Sequence, residues 1–108
     1  MAVRESSYQS DLIKKLKELF PGCVVFKNDT AYMQGIPDLL VLYKHHWAAL
    51  EVKASPSAPI QPNQVYYVRV LNRMSFAAFI NPENEEDILD ALQQAFTTGR
   101  TTRVSECE

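Results

Sequence analysis

The sequence predicts an α/β domain with the element order α-β-β-β-α-β-α, a mixed sheet flanked by helices. Three observations predict it. Apolar residues recur at three- and four-residue intervals near both ends of the chain. Three short apolar runs follow one another between residues 23 and 53. A Pro-, Ser- and Ala-rich stretch at 54–62 then separates the last of these runs from a second helical pattern and one more strand.

The first helix spans about residues 5–20. Tyr8, Leu12, Leu16, Leu19 and Phe20, with Ile13, form its apolar stripe, and Pro21-Gly22 ends it. Glu5 lies on the same stripe, three residues before Tyr8. It is either a frayed, solvated acid at the helix start or an acid turned inward that needs a partner. Cys23-Val24-Val25-Phe26 reads as a strand, Lys27 to Thr30 as a loop, and 29–36 as an ordered loop that ends at Gly35. Asp38 to Tyr43 is the second strand. Pro37 stands just before it, where a missing N–H costs the ladder least. Lys44-His45-His46 is a turn, and Trp47 to Lys53 is the third strand.

The second helix covers about 62–73. Its neighbours Tyr66 and Tyr67 are expected on opposite sides, one of them in the core. Ser75 to Ile80 is the fourth strand, stopped by Asn81-Pro82. Glu83 to Phe96 is the third helix, with acids in its first turn, where the helix dipole favours them. Three consecutive strands imply a meander, and the crossover through the second helix lets the last strand join in parallel. Residues 1–97 form one domain and 98–108 a polar tail.

The composition narrows the function. At 108 residues the chain builds one core. No apolar run approaches the ~18 residues needed to span a bilayer, and the polar N-terminus lacks a signal-peptide core. A cytoplasmic protein with no membrane partner is therefore expected. Cys23 and Cys107 lack partners at metal-ligand spacing and read as reduced thiols. The net charge of −2 argues against binding nucleic acid by bulk electrostatics. Bound divalent cations would, however, reverse the local sign of several acids.

The chemistry concentrates in Gly35-Ile36-Pro37-Asp38 and Glu51-Val52-Lys53. Residues i and i+2 of a strand share a face, so Glu51 and Lys53 project together. Pairing of the second and third strands carries Asp38 to the same end. Two carboxylates and an amine beside a core equip a chain to hold Mg²⁺, with Mn²⁺ as its substitute, and to hydrolyse a phosphodiester. Asp38 and Glu51 are the expected ligands, with the Val52 backbone carbonyl as a third. Lys53 is expected to hold the attacking water or the developing charge. Gln64, opening the second helix, is placed to support the site. Alternatively, Glu51 and Lys53 are an ordinary solvent-facing pair and Pro37-Asp38 an ordinary turn. His45-His46 point apart and read as a solvated turn. Tyr43 and Trp47 read as core or dimer contacts rather than a base-stacking platform.

Pro37-Asp38 and Glu51-Val52-Lys53 match the motif of the PD-(D/E)XK nucleases residue for residue. With Glu5, Gln9, Lys27-Asn28, Gly35 and Gln64, the chain resembles the virus-type replication-repair (VRR) nuclease domains over about residues 4–97. These domains are similar to archaeal Holliday junction resolvases, and small standalone examples occur in phages. The resemblance implies a restriction-endonuclease-like core and a metal-dependent, structure-selective DNA endonuclease acting as a homodimer on branched DNA. The setting it implies is a bacterial or phage-infected cell. It also implies catalytic roles for Glu5, Asp38, Glu51, Lys53 and Gln64, with Glu5 as a further metal ligand. Lys27, Asn28, Arg69 and Arg73 are the expected DNA contacts, with a solvated helix face as the alternative for the two arginines. A nuclease of another class (nicking, flap, linear DNA or RNA) and a non-catalytic DNA-binding module are the alternatives.

Overall fold

The computed structural model describes residues 4–99, and the side chains of residues 4–97. Of the expected tail, 98–108, residues 98 and 99 belong to the last helical turn, and residues 100–108, with Cys107, lie outside the described residues. The element order is α1 (Glu5–Leu19), β1 (Val24–Lys27), β2 (Leu39–Tyr43), β3 (His46–Val52), α2 (Pro62–Met74), β4 (Phe76–Ile80) and α3 (Glu85–Gln94). The strands form one mixed sheet in the order β1-β2-β3-β4. β1, β2 and β3 are an antiparallel meander, and β4 joins β3 in parallel after the α2 crossover. Among the described residues, no helix is long and apolar enough to cross a membrane.

One face of the sheet carries the core. Leu39 and Val41 of β2, Ala48, Leu50 and Val52 of β3, and Ile80 of β4 are buried there against Tyr8, Leu12, Leu16 and Phe20 and against Leu89, Leu92 and Phe96. The register explains this set, because Leu39 pairs with Leu50, Val41 with Ala48 and Val52 with Ile80, so all project to one side. The α1 stripe comes from 3.6-residue spacing, and burying Leu12 and Leu16 completely stabilises the fold by about 1.5–3 kcal/mol each. Gly22, at φ +90, takes the left-handed conformation that turns the chain from α1 into β1.

The other face carries Glu51 and is partnered by α2, which packs on β4 and β3. That packing is light, since α2 has no fully buried side chain. Tyr66 and Tyr67 therefore correct the sequence reading. Neither is buried, and their rings meet edge to face at 5.1 Å. Adjacent helical residues are only about 100° apart, so neighbouring rings need not face opposite sides.

The β2–β3 hairpin turns through Lys44 and His45, with Lys44 at φ 57, as a two-residue hairpin turn requires. His46 begins β3 instead of completing the turn, and its ring stacks on Phe96. Phe20, Tyr43 and Phe96 pack ring against ring at 5.1–5.8 Å, which seats the half-buried Tyr43 against the core. The helical pattern expected over 83–96 is an α-helix only from Glu85 to Gln94, followed by a wider π-type turn, Ala95–Gly99. Pro82 and an Asn81–Asn84 turn delay its start. Asn81 Oδ1 accepts the Glu83 and Asn84 N–H groups, and Asn84 Oδ1 accepts the Asn81 N–H.

Candidate active site

The antiparallel β2–β3 register brings the residue before β2 opposite the end of β3. Asp38, just ahead of Leu39, reaches across so that its Oδ2 accepts the Val52 N–H at 2.8 Å. This fixes one oxygen of Asp38 and leaves the other unengaged by that bond. The approach is braced from β1, where the Asn28 side-chain amide donates to the Pro37 carbonyl and the Asn28 N–H to the Asp38 carbonyl, both at 2.8 Å. One donor of the Asn28 side-chain amide therefore holds the Pro37-Asp38 segment.

Glu51 and Lys53 share the same face, as the two-residue period requires. Glu51 is 3% exposed and Lys53 9%. Lys53 Nζ lies 3.7 Å from Glu51 Oε2. It donates to the Pro59 carbonyl at 2.9 Å and to Gln64 Oε1 at 3.0 Å. An ammonium has three donors, so two are committed to holding the lysine in place.

Gln64 is the hinge of the arrangement. Its Nε2 donates to Glu51 Oε2 at 2.9 Å, while its Oε1 accepts both Lys53 and the Gln61 N–H, the latter at 2.9 Å. The Gln61 bond is one half of an N-terminal capping interaction. One side chain thus caps α2 and ties that helix to both charged residues of β3.

The electrostatics are out of balance. Glu51 Oε1 is buried without a hydrogen-bond partner among the described residues. Burial, then the nearby Asp38 charge, pushes the Glu51 carboxyl up to about 8 against the pull of Lys53, with Glu5 adding to the rise. Asp38 is also raised, chiefly by burial, against the Val52 N–H, the Lys53 charge and the neighbouring Glu51 carboxyl. Two carboxylates this close in a desolvated corner disfavour double ionisation.

Glu5 stands at the margin of the site. Its carboxyl is raised by partial burial and by Asp38, and lowered by Lys53, so it lies within electrostatic reach of both. Its side chain is nevertheless exposed. Among the described residues, no three His, Cys, Asp or Glu side chains converge tightly enough to hold a metal ion by themselves. What converges is a pair, Asp38 and Glu51, with a free buried oxygen on Glu51. That fits a hard cation which takes few carboxylates and keeps several waters, as Mg²⁺ does.

The sequence reading missed two features of the site, the Asn28 brace and the Pro59 carbonyl that anchors Lys53. Both belong to irregular segments without period, although Asn28, ten residues before Asp38, lies at the matching end of the predicted neighbouring strand. Lys27, Arg69 and Arg73 are exposed and none forms a hydrogen bond or ion pair with the site. Gln9 is half-buried on α1. Val52 enters the site through its N–H, while its side chain belongs to the core. No family model, curated protein or solved structure matches the chain.

Proposed function

We propose that the chain is a Mg²⁺-dependent, structure-selective DNA endonuclease with a restriction-endonuclease-like core, acting as a homodimer on branched DNA such as four-way junctions. The observation that supports this best is the buried, unpartnered Oε1 of Glu51 beside Asp38, with a buried lysine 3.7 Å from the same carboxylate. A corner that is desolvated, doubly acidic and incompletely neutralised costs stability, and a cation from outside offsets that cost.

Asp38 and Glu51 would hold the ion, with Glu5 near enough to bias its charge. The ion would supply Lewis-acid neutralisation of the phosphoryl oxygens and a more acidic water. Lys53, held by Pro59 and Gln64, orients the attacking water or stabilises charge as it develops on phosphorus. Gln64 fixes the spacing between Lys53 and Glu51. Selectivity for structure over sequence accords with the order of elements, which among the described residues includes no helix-turn-helix or zinc module to read bases in a groove. In a twofold dimer, two such sites cut two strands symmetrically. Lys27, Arg69 and Arg73 supply exposed positive charge for the DNA backbone.

The test is a cleavage assay with Mg²⁺ or Mn²⁺ on a labelled four-way junction beside a linear duplex of the same sequence, with Lys53→Ala as control. Paired symmetric cuts on the junction, absent in the variant, are expected. Equal cutting of both substrates would keep the nuclease and remove the branch selectivity. Cutting of flap or RNA substrates alone would reassign the substrate. Binding without cutting would leave a DNA-binding module.

A further inference from the structure

Gln64, which holds the acidic corner, also lines a cleft of about 380 Å³ formed between the 29–36 loop and the start of α2. Its walls include Thr30, Gln34, Gln61, Asn63 and Gln64, and no charged side chain lines it. The volume is at the small end of the range for ligand pockets, about 300–1,000 Å³. Side-chain amides present a donor beside an acceptor, the pattern that pairs with the edge of a nucleobase. The side chains of Thr30, Gln34 and Asn63 make no hydrogen bond within the described residues, so their polar groups are uncommitted.

The cleft is shaped in advance. Gly35 has φ +93, and a Cβ there would come within 2.7 Å of Asn63 Cγ. Loop and helix therefore touch at Gly35, where only glycine fits. An Asx turn, in which Asp29 Oδ1 accepts the Ala31 N–H at 2.9 Å, and a bond from the Tyr32 N–H to the Asp29 carbonyl order the loop. Tyr32, next in the chain to the cleft residue Ala31, is 83% exposed. An aromatic ring held out from an ordered loop is a stacking surface for a base.

The geometry points to this cleft as a subsite for one unpaired nucleotide of the DNA strand, next to the scissile phosphate. This rests on the nuclease reading, because the position relative to the phosphate comes from Gln64, which lines the cleft and also holds Glu51 and Lys53. A base inside a duplex has its pairing edge occupied, and extracting it costs a few kcal/mol. A base already unpaired at a branch or bulge escapes that cost. Selection for structure then arises in a named place: amides that pair only with a free base edge.

The experiment compares binding of two fluorescein-labelled duplexes by anisotropy in Ca²⁺ buffer. They are identical except that one carries a single unpaired adenosine. The wild-type protein should bind the bulged duplex at least about tenfold more tightly. Gln34→Leu, on the loop, and Asn63→Leu, on the helix, should each bring the two affinities close together while melting like the wild type. Arg69→Ala should weaken both equally, as a phosphate contact does. Equal wild-type binding of the two duplexes, or a preference that survives both leucine variants, would overturn the subsite. If that protein still cleaves DNA in Mg²⁺, the nuclease reading stands without it. Failure to bind either duplex or to cleave any DNA would overturn both.

Discussion

Glu85 and Glu51 are both largely withdrawn from water, with side chains 13% and 4% exposed, and their surroundings meet that withdrawal in opposite ways. Glu85, at the start of α3, is saturated by donors. Its Oε1 accepts the Tyr8 hydroxyl at 2.9 Å, and its Oε2 is paired with Lys15 from α1. These bonds clasp α1 to α3, and burial together with the carboxylate raises the Tyr8 phenol beyond its ordinary range. Glu51 has one oxygen bonded to Gln64 and the other orphaned, and its nearest acid, Asp38, makes its ionisation harder. The first acid joins two helices. The second is a standing deficit that folding alone does not remove. A buried carboxylate thus indicates a site by what its partners fail to satisfy, more than by burial itself.

The widest separation between the two acids is in catalysis. Asp38→Ala and Lys53→Ala should each lower Mg²⁺-dependent cleavage by at least about 10²-fold, whereas Glu85→Ala should retain it at temperatures where the variant stays folded. Equal losses in all three, measured by single-turnover cleavage, would break the contrast. Metal should divide them next. At about a hundred times its dissociation constant, Mg²⁺ or Mn²⁺ should stabilise the wild-type protein and Glu85→Gln by about 2.7 kcal/mol, and should do far less for Glu51→Gln. Differential scanning fluorimetry reads this without any substrate.

Stability without metal should then move in opposite directions. At neutral pH folding obliges the Glu51 carboxyl to take up a proton that the unfolded chain lacks; Glu51→Gln removes that cost and gives Asp38 a donor, so it should raise stability by about 1–3 kcal/mol. Glu85→Gln weakens the bond to Tyr8 and the pairing with Lys15, and should lower it by about 1 kcal/mol. Urea unfolding decides the sign. The last contrast is in pH dependence. The Glu51 carboxyl is raised from 4.5 to about 8 on folding, so the folded state keeps a proton that the unfolded chain releases. The associated stability is whole below about pH 4.5 and is lost as the pH rises through about 8. Glu51→Gln should flatten that slope, and a variant as steep as the wild type would reassign it to other groups.

Much of this was legible in the sequence, for a specific reason. Strand period and hairpin register are nearly deterministic once the apolar runs are placed. The sequence therefore assigns Asp38, Glu51 and Lys53 to one strand end. The meander, the parallel β4 and the α1 stripe follow from the same periodicities. Gln64 was placed on the right helix turn, but its bridge between Glu51 and Lys53 depends on how α2 docks, which no local pattern encodes. The Asn28 brace and the Pro59 anchor come from loops, where side chain and backbone trade hydrogen bonds without repeat. Glu5 stayed ambiguous in sequence because a helix start serves both solvent and site. The structure gives it a share of each, exposed yet electrostatically coupled to Asp38.

The light docking of α2 has a consequence in time. A helix with no fully buried side chain has little to lose by detaching, so its amides should exchange with solvent faster than those of α1, whose Leu12 and Leu16 are wholly enclosed. Each such excursion withdraws Gln64 and frees Lys53 from one of its two anchors. The lifetime of the assembled corner is therefore the residence time of one lightly held helix, and anything bridging α2 to the 29–36 loop prolongs it.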